Sequence, residues 1–203
     1  MEGKYKVLEG IPEKNKENKD TTSLKWKKDL IDFFHEKKLK NCLELGTANG
    51  ITTKVLSSLF DEVHTIESMP KRFDKAKQNY SHIKNITFHL ADGYSDLTYR
   101  HNNFPQYFDA VVIDADHQYH SVIMDISRAL KFFNKDKGIY LVFDDYGHPE
   151  STGVKKAVED AIRLLNLKIV KEIGEEPGFT VHRVNNTEFT LIHKEGIILS
   201  YGI

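Results

Sequence analysis

The feature that most constrains this chain is a regular alternation, from residue 21 onward, of short apolar runs with amphipathic stretches. Thr21, Thr22 and Ser23 are cap-type residues before a stretch in which Trp26, Leu30, Phe33 and Phe34 share one helical face. A short apolar run over 41–45 ends at Gly46, and a helix is predicted over 51–59. Residues 62–66 read as a strand. Pro70 then stands at a first helical position, with Phe73, Ala76 and Tyr80 at helical spacing behind it. Strands follow over 86–90 and 108–113, the second a near-continuous apolar run of the kind buried on both faces of a sheet. Val122, Ile123, Ile126 and Leu130 make a helix stripe, 138–143 another buried strand, and Val154 to Leu165 the clearest helix. Strands resume at 167–170. The runs 189–193 and 197–201, joined around Glu195-Gly196, read as a hairpin.

Strands that alternate with helices build a mostly parallel sheet covered on both faces. The expected fold is therefore α/β, a Rossmann-like doubly wound, mostly parallel seven-stranded sheet with a C-terminal antiparallel hairpin. Hydrophobic residues at 39% and charged residues at 29% suit a folded chain. Residues 21–203 are expected to form a single domain. Residues 1–20 are Lys, Asn and Glu-rich after a short apolar patch, and are either a solvated tail or a lid that folds over a site. Lys and Arg number 29 against 30 Asp and Glu, so no global field draws nucleic acid or an anionic membrane. Cys42 is the single cysteine, which excludes an intramolecular disulfide and a multi-cysteine metal site. No apolar run approaches a membrane span or a signal core. The expectation is a cytoplasmic protein acting on a small molecule, with neither nucleic acid nor membrane as partner, and with a homo-oligomer left open.

In such sheets a ligand sits outside the carboxyl ends of the strands. The first strand ends Leu43-Glu44-Leu45-Gly46-Thr47-Ala48-Asn49-Gly50. It lacks the middle glycine of a dinucleotide fingerprint, and Glu44 sets a carboxylate beside the loop. Either an amine-bearing ligand or a plain strand–turn–helix would suit it. Glu67, at the end of the second strand, has the position of a carboxylate that accepts ribose hydroxyls; it or Ser68 could instead cap the helix beginning at Pro70. Asp92-Gly93 is either an adenine-amine acceptor or a turn. The fourth strand ends Asp114-Ala115-Asp116-His117-Gln118-Tyr119 and the fifth Asp144-Asp145-Tyr146. Neighbouring parallel strands would bring these carboxylates to one rim with no basic residue in either segment, so they would repel. A hard divalent cation with oxygen ligands answers that repulsion. His117 could take a proton from a hydroxyl or bond a helix-start carbonyl, with His120 and His148 as competitors.

The segments Leu43–Gly50, Glu67, Asp92 and Asp-Ala-Asp-His-Gln-Tyr at 114–119 resemble the class I S-adenosylmethionine-dependent methyltransferases. Asp114-Ala115-Asp116-His117 with Phe143-Asp144-Asp145-Tyr146 resembles, within them, the divalent-metal-dependent O-methyltransferases of catechol, caffeoyl-CoA, macrolide and aminocoumarin sugar type. The resemblance covers about residues 21–172. It implies a cofactor, S-adenosylmethionine, held by Glu44, Gly46, Thr47, Asn49, Gly50, Glu67, Ser68, Asp92, Gly93, Asp114, Asp116 and Tyr119. It implies a divalent cation (Mg or Mn) on Asp114, Asp144 and Asp145, and catalysis by His117 as general base with Asp114. The catechol and caffeoyl-CoA types carry lysine at the place of His117 and often asparagine at that of Asp145. The implied activity is O-methylation of a small molecule, a vicinal diol in a sugar or catechol. The alternatives are a metal-independent N-methyltransferase and a non-catalytic S-adenosylmethionine-binding module. An oxidoreductase is disfavoured by the missing glycine.

Overall fold

A computed structural model describes residues 2–14, 21–91, 104–182 and 188–203. A 3-10 turn at Glu2–Leu8 precedes helix α1 (Leu24–Phe34). Ser23 caps α1, its hydroxyl accepting the Trp26 N–H. Five strands then run to the centre of the molecule: β1 (Leu39–Leu45), β2 (Phe60–Glu67), β3 (Ile86–Leu90), β4 (Ala110–Ile113) and β5 (Ile139–Phe143). Between them lie helices α2 (Ile51–Ser57), α3 (Pro70–Tyr80) and α4 (Tyr119–Ala129), with α5 (Thr152–Leu165) after β5. Strands β6 (Lys168–Ile173), β7 (Glu176–His182), β8 (Glu188–His193) and β9 (Gly196–Tyr201) close the chain. The connection after β3, with Asp92 and Gly93, lies outside the described residues.

The main sheet has seven strands in the order β3-β2-β1-β4-β5-β9-β6. The first five are mutually parallel; β9 runs antiparallel to both β5 and β6. Its faces are sealed separately, as alternation along a strand requires. Leu43, Leu45, Val111, Ile113, Leu141 and Phe143 pack toward α4 and α5. Cys42, Val63, Ala110, Val112, Val142 and Ile198 pack toward α1 and α2. Strand order reverses between β1 and β4, so the ends of those two strands open the crevice that a ligand can enter.

The C-terminal hairpin is composed differently from the sequence expectation. The run 189–193 pairs with β7 in a separate two-stranded sheet, while 197–201 enters the main sheet between β5 and β6. The physical reason is visible in β9. Ile197, Ile198 and Leu199 are all fully buried, which a half-exposed hairpin cannot provide and a central strand does. Gly196 is pressed against the end of β5: a Cβ there would stand 2.4 Å from the Phe143 carbonyl oxygen and 2.4 Å from Trp26 Nε1. Among the described residues no helix is long and apolar enough to cross a membrane.

Candidate functional site

Gly46 ends β1 with φ +95°. A Cβ at this position would fall 2.0 Å from the Asp114 carbonyl oxygen, so the absence of a side chain lets the ends of β1 and β4 touch. The Gly46 N–H donates to Ile66 O (3.0 Å), that of Asp114 to Leu45 O (2.9 Å), and that of Gly50 to Thr47 O (2.8 Å), closing the loop onto the start of α2. Glu67, at the end of β2, stitches this loop in place. Its two carboxylate oxygens accept the N–H groups of Ala48 and Met69, each at 2.9 Å. The result is a cleft of about 200 Å³ lined by Gly46, Ala48, Glu67, Ser68, Asp114 and Asp116, with Arg72, Ala91 and Asp125 behind them.

Gly46, Glu67, Ser68, Asp114 and Asp116 are thus brought together as the sequence suggested. Other residues singled out there are placed elsewhere. The Tyr119 hydroxyl donates to Asp160 on α5 (2.9 Å), and its ring lies under the Lys156 ammonium. Thr47 is buried, its hydroxyl 2.5 Å from that of Thr65. Asn49 and Gly50 belong to the loop but do not line the cleft. Asp116 accepts from the Ser121 hydroxyl (2.6 Å) and the Gln118 N–H (3.3 Å); the Ser121 bond holds its carboxyl below the usual range. It ties down the entry to α4 and faces the cleft at once.

Glu44 is fully buried and turned into the protein rather than toward the cleft. Oε2 accepts from Thr53 (2.5 Å) and Thr65 (2.6 Å), while Oε1 has no hydrogen-bond partner. Burial, only partly offset by the two hydroxyls, pushes its pKa up to about 8 from 4.5. A raised carboxyl pKa means that the folded chain binds the proton more tightly. Stability is therefore fully present below pH 4.5 and falls as pH rises toward 8. Glu44→Gln is expected to remove that slope. At pH 7 the variant should be more stable than the native chain by about 3 kcal/mol, and the difference should vanish near pH 4.5. Denaturant unfolding across that range measures it; a constant difference would show that Glu44 stays ionised.

At the ends of β4 and β5 one imidazole lies between two of the acids. His117 Nε2, at the entry to α4, is 3.3 Å from Asp145 Oδ2 and 3.9 Å from Asp114 Oδ1. Asp144 is 6% exposed, and its Oδ1 is buried without a hydrogen-bond partner. Burial first, then the charges of Asp114, Asp145 and Glu195, push the Asp144 carboxyl well above the usual range. Burial and Asp145 likewise raise that of Asp114, against the pull of His117. Asp145 adopts a left-handed backbone, φ +54°, at a cost of order 1 kcal/mol. The donor set is all oxygen, and a buried carboxylate oxygen lacks a partner, which fits a hard divalent cation. As the side chains stand, no group of three or more acidic, His or Cys side chains among the described residues converges on a single ion position.

Four participants were missed in the sequence. Asp125 enters the cleft from the buried face of α4. Glu195 is fully buried just before β9, which the Phe143–Ile197 register sets beside the end of β5. Lys14 and Lys27 bring positive charge to the rim from the N-terminal side. The cations expected from charge balance thus include the chain's own ammonium groups. Lys27 had a readable signal: positions 27, 30, 31 and 34 lie on one helical face, so a lysine sits among Leu30, Ile31 and Phe34.

Comparison with known proteins bears on this arrangement. Residues 43–146 match a family model described as a methyltransferase domain. A malonyl-[acyl-carrier protein] O-methyltransferase of Bacillus cereus is 26% identical over 147 residues, which is 72% of this chain and 52% of that protein. The chain thus spans about half the length of that curated relative. Among solved structures, an O-methyltransferase from Bacillus cereus in complex with S-adenosylhomocysteine superposes with TM-score 0.66 at 18% identity, over 90% of this chain and 82% of the other. An O-methyltransferase from Streptomyces achromogenes involved in tomaymycin synthesis, in complex with S-adenosylmethionine, superposes with TM-score 0.64 at 17% identity, over 89% and 80%. At these identities the superpositions speak for the fold.

Proposed function

The chain belongs to the methyltransferase-domain family, and from that premise we propose that it transfers the methyl group of S-adenosylmethionine to a hydroxyl of a small molecule. The acceptor we propose is a vicinal diol, in a sugar or a catechol. The observation that carries this reading is the position of Glu67 and Asp114 on one cleft at the switch point of the sheet, next to the Asp114, Asp144 and Asp145 rim. Glu67 would accept the ribose hydroxyls of the donor, and the Gly46 loop would lie against its methionine end. Asp114, Asp144 and Asp145 would hold a divalent cation, Mg or Mn. When bound, such an ion supplies positive charge that lowers the pKa of a neighbouring hydroxyl.

The remaining chemistry belongs to the chain. The sulfonium donor is already reactive, so the protein's task is to hold donor and acceptor in line at near-attack distance. The acidic rim favours the positively charged donor over the neutral product. His117 Nε2 takes the proton of the acceptor hydroxyl. The acceptor oxygen forms its bond to the methyl carbon as the carbon–sulfur bond breaks, leaving S-adenosylhomocysteine.

Calorimetry tests the donor site. S-adenosylhomocysteine is expected to bind and NAD is not. Glu67→Gln exchanges an oxygen acceptor for an amide donor, which should weaken S-adenosylhomocysteine about 10-fold, the worth of one charge-assisted hydrogen bond. Binding of NAD in preference to S-adenosylhomocysteine would overturn the reading.

A further inference from the structure

The acidic rim is backed by a second set of charges, on the N-terminal arm, the start of α1 and the residue before β9. Residues 2–14 lie along α1 and α2, with Tyr5, Val7, Leu8 and Ile11 packed on that face of the sheet. Tyr5 donates to Asp32 (2.6 Å), and Glu13 Oε1 accepts the Leu24 N–H (3.2 Å). At the end of this arm the Lys14 ammonium meets Glu195 Oε1 at 3.1 Å. The same oxygen accepts the Ser23 N–H at 2.8 Å, at the cap of α1. One turn into α1, the Lys27 ammonium is fully buried. It donates to the Thr21 hydroxyl (3.1 Å), the Thr22 hydroxyl (2.6 Å) and the Thr22 carbonyl.

Burying an ammonium without compensation is costly, and a neutral side chain of that length would satisfy the packing. Two observations say what compensates Lys27. Its three acceptors come from the segment that caps α1. The charges that favour its protonated form are, in order, Glu195, Asp144, Asp114 and Glu13. Burial lowers its pKa to about 8 against them, which leaves it charged at neutral pH. Lys14 acts in the same sense on both Asp114 and Asp144. The antiparallel register supplies the geometry: Phe143 pairs with Ile197, so the chain just before β9 brings Glu195 to the end of β5, where its charge acts on Asp144.

We propose that Glu195 is a positioning residue that clasps the N-terminal arm, through Lys14, and the cap of α1, through the Ser23 N–H, to the end of β5, and that Lys14, held by this clasp, and Lys27, held by Thr21 and Thr22, are built-in counter-ions of Asp114 and Asp144. The proposal rests on the reading of that rim as the methyl-transfer site. It gives the N-terminal segment a role in the chemistry: its charge sets how strongly the rim attracts a further cation.

Two measurements on the full chain test it. Thermal unfolding of Lys14→Met, Glu195→Gln and the double variant reads the clasp. Lys14→Met alone should lower Tm by about 2–4 °C and should add almost nothing once Glu195 is glutamine. Additive losses overturn the clasp. The second probe is Mn²⁺ alone, followed by loss of its free-ion paramagnetic resonance signal. Removing a like charge from the neighbourhood should tighten Mn²⁺ in Lys14→Met by about three- to tenfold relative to the native chain. An affinity equal to that of the native chain, or no Mn²⁺ binding by either protein, overturns the counter-ion assignment. Lys14 is partly solvent-facing, so its variant remains informative should Glu195→Gln fail to fold. S-adenosylhomocysteine affinity should stay unchanged in Lys14→Met. A native chain that binds no S-adenosylhomocysteine removes the methyltransferase reading while the unfolding cycle still decides the clasp.

Discussion

Dialysis against EDTA is expected to lower methyl transfer by at least about 10³-fold, with Mg²⁺ or Mn²⁺ restoring it. The magnitude follows from the rim. Asp144 has an oxygen buried without a donor, and three further carboxylates push its pKa upward. The resident ammonium groups of Lys14 and Lys27 are singly charged and attached to fixed backbone. A doubly charged ion held by Asp114, Asp144 and Asp145 would supply what they cannot, several kcal/mol where charge develops on the acceptor oxygen. Asp144→Asn should reproduce the effect of chelation while leaving S-adenosylhomocysteine affinity nearly intact, because Asp144 does not line the donor cleft. Turnover indifferent to EDTA would remove the cation and leave the acceptor to the chain's own side chains.

Much of this arrangement could be read from the chain because it depends on local periodicity. The stripe Val154, Ala157, Val158 and Ala161 declares its helix, and the apolar run through Val111–Ile113 declares a strand sealed on both faces. Once strands and helices alternate, the ligand end of the sheet follows, and with it Gly46, Glu67, Asp114 and Asp144. What could not be read is pairing between distant segments. Whether Ile197–Leu199 folds back on 189–193 or inserts beside β5 depends on which neighbour buries both of its faces, and no local pattern contains that neighbour. The same gap hid Glu195, which looked like a turn residue and is a buried anion. It also hid the match between Lys14 and Glu195, 181 positions apart. Individual side-chain directions were a third loss. Tyr119 and Glu44 stand where the strand-end rule puts functional residues, yet Asp160 draws one toward α5 and the Thr53 and Thr65 hydroxyls draw the other into the core.

His117→Ala is expected to lower turnover by about 10²–10⁴-fold, the usual worth of a positioned general base, with little change in S-adenosylhomocysteine affinity. The pH dependence separates this role from a structural one. Asp114 beside the imidazole is the largest influence and raises its pKa above 6.5; Asp145 and Asp116 add to this, and burial opposes it. A base acts only when deprotonated, so turnover of the native chain should climb with pH through a limb that lies above the ordinary imidazole value. Positive charge placed on Asp114 and Asp145 cancels part of the field that holds the proton. Raising Mg²⁺ should therefore move the limb toward lower pH. In His117→Ala the limb should disappear, and exogenous imidazole should restore part of the rate at a pH set by the added base. A wild-type rate at neutral pH in the alanine variant would assign the proton to another acceptor. A limb that ignores Mg²⁺ would separate His117 from the carboxylates that the geometry sets within 3.3 and 3.9 Å of its Nε2.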